Sequence, residues 1–120
     1  MRIVRPILVL SVVLFFAFIV SGQIAPKAYK VAEFGLLSQG KIDEKMRELC
    51  IEVRKNPTSE GYIMNYGTPS AIRTRRSHLF RNFRCGDLDP PRITFVDGKS
   101  EPKIRTVIWI VPPGATPPTP

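Results

Sequence analysis

Between Gly61 and Arg84 the chain has no aspartate and no glutamate, although Arg73, Arg75, Arg76, His78, Arg81 and Arg84 all fall there. That stretch can supply neither a carboxylate acid–base pair nor an oxygen-rich cation site. Histidine occurs once in the whole chain and cysteine twice, at Cys50 and Cys85. A lone histidine with no carboxylate near it in sequence gives no nucleophile–base pair. Two cysteines so far apart lack metal-ligand spacing. No catalytic residue, metal or cofactor is expected, and the chain reads as non-enzymatic.

Long apolar runs are also scarce, with one exception at the N-terminus. Arg2 and Arg5 precede Ile7–Val20, which is broken only by Ser11, and Val20-Ser21-Gly22 supplies small residues before Gln23. This is the pattern of a secretory signal peptide over residues 1–22. The alternative is an uncleaved anchor, through which alone the chain would touch a membrane. The apolar run, as a helix, spans only about 21 Å against a hydrocarbon core of roughly 30 Å. Export to the periplasm or cell envelope is the expectation, and it makes nucleic acid an unsuitable partner.

The net charge is +8, and still +6 once Arg2 and Arg5 are removed with the leader. A basic exported chain suits an anionic envelope polymer or an envelope protein. An oxidising compartment permits a Cys50–Cys85 disulfide. Equally, Cys50 fits an apolar helix face and Cys85 an unrelated thiol at a helix end, which is the simpler account. The sequence leaves both open.

The pattern predicts strand, helix, strand, helix, strand, strand. Tyr29–Phe34 reads as a first strand. Ile42–Lys55 is the clearest helix, with Ile42, Met46, Leu49, Cys50 and Val53 on one face. Asp43 and Glu44 would lie in its first turn, Arg54 and Lys55 in its last, matching the helix dipole. Asn56-Pro57 stops it. Tyr62–Tyr66 is a strand with both tyrosines on one face. Ser70 is the expected N-cap of a second helix running to about Arg84. On its helical wheel Ile72, Leu79 and Phe83 cluster, and Phe80 widens the apolar face. Arg76 falls inside that face, Arg75 at its border, and Arg73, Arg81 and Arg84 outside. The arginines form a candidate anion site, or else a solvated basic face. His78 is placed at the surface.

Arg92–Val96 and Ile104–Val111 read as strands, with Asp97-Gly98 opening the turn of a hairpin between them. Trp109 on the second face of the last strand suggests that neither of its sides is fully wet. Residues 112–120 hold five prolines in nine residues and read as an extended tail without a core.

This order, in a chain of this size, resembles the OmpA-like domain family of outer-membrane protein A and the peptidoglycan-associated lipoproteins. Arg75-Arg76, Leu79, Phe83, Asp87-Leu88 and Arg92-Ile93 follow the family pattern around its second helix without a gap. Gly98-Lys99-Ser100-Glu101-Pro102 is similar to the stretch after its next strand. The resemblance covers about Ile42–Val111 and sets the domain at 23–111. It implies an α+β fold, a small mixed sheet with two helices on one face. It also implies a peptidoglycan ligand held by Arg75, helped by Arg73 or Arg76. The family's ligand-binding aspartate has no counterpart in Tyr66-Gly67-Thr68-Pro69-Ser70. Arg76 replaces the usual alanine, and Ile104-Arg105-Thr106 keeps only part of an Asn-Arg-Arg signature. The alternative is therefore a structural or interaction protein with this fold that contacts a protein partner.

Overall fold

The computed structural model describes residues 24–82, Cys85 and residues 92–120. The expected signal peptide, residues 1–22, and Phe83, Arg84 and Asp87-Leu88 lie outside these. The described elements are β1 (Tyr29–Phe34), α1 (Gln39–Lys55), β2 (Glu60–Gly67), α2 (Pro69–Asn82), β3 (Ile93–Ser100) and β4 (Arg105–Val111). They form a four-stranded mixed sheet in the order β1-β4-β2-β3. Strand β4 runs antiparallel to both β1 and β2, and β3 runs parallel to β2. This is an α+β fold.

One face of the sheet carries both helices. Ile42, Met46, Leu49 and Val53 from α1 and Leu79 from α2 meet Ala32, Phe34, Ile63, Ile108 and Ile110 from the sheet. The opposite face is a smaller cluster of Met64, Tyr66 and Val107, flanked by Val96 and Trp109. Burial on both sides of β4 explains its continuous apolar sequence, because a central strand shows no wet face.

The expected hairpin does not form. Strand β2 lies between β3 and β4. Asp97 and Gly98 are strand residues, opposite Asn65 and beside the ring of Tyr66 rather than in a turn. The crossover through α2 delivers β3 parallel to β2, and the doubly apolar β4 takes the central place that a hairpin would have denied it.

Helix boundaries also differ. Helix α1 begins at Gln39, so Asp43 and Glu44 fall beyond its first turn. Helix α2 begins at Pro69, and its cap is Thr68, whose Oγ1 accepts a bond from Ala71 N at 3.2 Å. Ser70 lies inside the helix. Proline suits the first helical position, where its missing N–H would have had no partner.

A disulfide joins Cys50 of α1 to Cys85 beyond α2, with Cα atoms 5.3 Å apart. Arg54 Nη2 donates to the carbonyl of Cys85 at 2.7 Å, and Arg92 Nη2 reaches the carbonyls of Val53, Asn56 and Ser59. Cys50 thus occupies a core position and is also cross-linked. At the other end of the chain, Pro112-Pro113-Gly114-Ala115 forms a β-turn. Ala115 N donates to Pro112 O at 3.0 Å, and Gly114 has φ +80°. Proline and glycine at its two central positions match a type II turn.

Candidate functional site: a buried arginine beside an apolar groove

Arg75 is the second-helix arginine that the fold encloses, only 7% exposed. Its Nη1 donates to Thr106 Oγ1 on β4 at 2.8 Å and its Nη2 to the carbonyl of Gly35 at 2.9 Å. The guanidinium lies 5.2 Å from the ring centroid of Phe34. Thr106 passes the chain on, donating to Asn65 Oδ1 at 2.7 Å. Both Thr106 and Asn65 are fully buried, and Asn65 Nδ2 has no partner among the described residues.

A guanidinium has five N–H donors and normally meets a carboxylate when buried. Arg75 meets a hydroxyl, a carbonyl and an aromatic face, and among the described residues it has no acidic partner. Burial pushes its pKa down. An enclosed cation with neutral partners leaves positive potential unbalanced.

Beside it lies a groove of about 380 Å³, bounded by Leu36, Ile42, Ala71, Thr74, His78 and Ile104. Gln39 Nε2 and His78 Nδ1 are 3.1 Å apart across one wall. His78 is half-buried on the groove wall.

The other two arginines of the candidate site do not join Arg75. Arg73 and Arg76 border a separate depression of about 340 Å³ at the end of β2 and β3, with Gly67, Asp97 and Gly98. Arg76 Nη1 contacts both oxygens of Asp97, at 2.9 and 3.1 Å. Its charge is therefore matched within the fold, and Arg73 stays exposed. Arg73 and Arg76, one of which is expected to help Arg75, border a different depression from the groove beside Arg75. The reason is rotational: Arg75 sits one step round the helix from Arg76, enough to send one inward and the other over the β3 edge.

Phe80 is also placed differently from its expected core role. It is 70% exposed and meets Phe95 only edge-on, with centroids 6.3 Å apart.

On the opposite face Arg105 is the organising charge. It binds Glu101 through Nη2 and Nε at 2.6 and 3.2 Å, and Glu33 through Nη1 at 3.0 Å. Its guanidinium lies 4.0 Å from the ring centroid of Tyr66. These bonds push the Arg105 pKa up, Glu101 contributing most. Lys30 lies similarly over Trp109, at 5.6 Å. Two cations thereby roof the sheet face that, among the described residues, carries no helix.

Sequence reasoning missed Asn65, Thr106, Gly35 and Asp97. The absence of acids from 61–84 was the available signal that the Arg76 partner had to come from outside that stretch. Among the described residues no cluster of three or more His, Cys, Asp or Glu side chains could hold a metal ion, and no helix is long and apolar enough to cross a membrane. Neither a protein-family model nor a curated protein sequence matches this chain.

Proposed function

We propose that this chain is a non-catalytic, exported cell-envelope module that takes an anionic group, such as a peptidoglycan stem-peptide carboxylate, in the groove beside Arg75. The observation that carries the reading is the enclosed guanidinium whose partners among the described residues are all neutral. Desolvated and short of a counter-charge, it gains most from a carboxylate. The apolar walls suit a ligand with an aliphatic body. The N-terminal export pattern and the OmpA-like order of elements point to the same compartment and ligand class.

A second reading, an interaction module for a protein partner, draws on Phe80, a large side chain left 70% exposed on α2.

The test is sedimentation of the protein with purified diaminopimelate-type peptidoglycan at low and moderate salt. Thr74→Glu is the informative variant. Thr74 is exposed on the groove wall, so a carboxylate there can occupy the Arg75 charge without disturbing the core. Binding that survives moderate salt and is lost in Thr74→Glu, but not in Arg73→Ala, supports the groove. Binding that is absent, or that salt abolishes equally in all variants, rejects it in favour of a protein partner.

A further inference from the structure

Strand β1 is an edge strand. Among the described residues it pairs only with β4, and its outer row of N–H and C=O groups has no strand partner. Edges of this kind accept another strand unless something covers them.

The residues of this edge complement themselves. Pairing with β4 shifts register between Lys30 and Ala32, which leaves Val31 as an extra residue. Such a bulge reverses the inside–outside alternation beyond it. As a result Lys30 and Glu33, three apart, share the sheet face of Trp109, where they already pair at 2.8 Å. Tyr29 and Phe34 lie opposite Ile110 and Thr106, on the helix-bearing face.

We infer that a second copy of this chain adds antiparallel to the β1 edge about a two-fold axis, joining two sheets into one of eight strands. With the axis between Val31 and Ala32, Lys30 faces Glu33 of the other copy, Tyr29 faces Phe34 and Val31 faces Ala32. Each pair combines opposite charges, two aromatics or two apolar residues, and each occurs twice, as two-fold symmetry demands. The bulge is what allows this. Without it Lys30 and Glu33 would project from opposite faces.

The surroundings of the edge fit the same occupant. A groove of about 370 Å³ between β1 and α1 is lined by Tyr29, Val31 and Ile51 with Lys30, Glu48 and Glu52. Ile51 is 51% exposed and Tyr29 39%, and Leu36, just past the end of β1, is 88% exposed. In this register Phe34 of the second copy meets Tyr29 at the rim of the groove, so that the second copy covers Tyr29 and approaches Ile51.

The experiment uses the full chain, mixed from natural-abundance and heavy-nitrogen preparations and treated with a zero-length carbodiimide cross-linker. The Lys30–Glu33 pair within one chain, already in contact, cross-links in any case and certifies the chemistry. A Lys30–Glu33 cross-link joining a light to a heavy peptide is the expected result. Ile51→Glu, at an exposed position, should lower that mixed product severalfold and leave the Lys30–Glu33 link within a single peptide unchanged. Same-isotope cross-links alone overturn the proposal. So do mixed cross-links that fall elsewhere or ignore Ile51→Glu.

Discussion

Arg75 and Thr106, 31 residues apart, are held together by a hydrogen bond of 2.8 Å that ties α2 to the central strand β4. Thr106 Oγ1 accepts from the guanidinium and donates to Asn65, so a single hydroxyl completes a chain across two strands and a helix. Replacing it with an isosteric methyl leaves a guanidinium N–H and an amide oxygen unpaired in the core. Thr106→Val should therefore cost about 1–3 kcal/mol in urea unfolding. Thr106→Ser, which keeps the hydroxyl, should cost less. Equal losses from both would mean that packing, not the hydrogen bonds, sets the value of this position.

Gly98 gives a second prediction. A Cβ there would overlap the ring of Tyr66, which is 8% exposed and pinned under Arg105. Gly98→Ala should destabilise by about 1–3 kcal/mol, the usual range for overpacking. With Tyr66→Leu in the same chain the penalty should be smaller than the two separate losses added together, because the obstructing ring is gone. Strict additivity would show that Gly98 answers to something other than Tyr66.

The third concerns acid. Lys30 first, and Arg105 after it, hold Glu33 below the ordinary carboxylate value of 4.5, and Arg105 does the same for Glu101. A carboxylate whose folded pKa is depressed contributes stability above its unfolded value and loses it as pH falls through the folded value. Stability should therefore decline from near 4.5 downward. Glu33 is exposed and Glu101 half-exposed, so solvent screening keeps the effect modest. Urea midpoints measured from about pH 6 to about pH 3 should fall less steeply for Arg105→Gln than for the parent. Parallel curves would remove this triad as the source.

These expectations rest on contacts of two kinds. Those within one element could be read from the chain. Ile42, Met46, Leu49, Cys50 and Val53 recur at helical spacing, and all five are buried on one side of α1. The apolar residues on both faces of β4 announced a strand without a wet side. Contacts between distant segments left no local trace. Arg75 stood at the border of its helical wheel. Only the arrival of the Gly35 carbonyl and the Thr106 hydroxyl, 40 and 31 residues away, makes burial there tolerable. Asp97-Gly98 has the composition of a turn, and the need for a bare backbone beside Tyr66 looks identical in sequence. Thr68 and Ser70 are chemically equivalent caps, and Pro69 between them decides in favour of Thr68.

The strand order has a consequence for how the protein reaches its fold. Among the described residues β1 pairs only with β4, and the Glu33–Arg105 contact closes a separation of 72 residues. Until the segment after Ser100 is available, β1 has nothing to pair with and β2 lacks its antiparallel neighbour. Such long-range closure is slow. A chain emerging from the ribosome would stay unzipped until its fourth strand appears. The topology that places β4 at the centre thereby postpones completion of the sheet until residues 105–111 have been made.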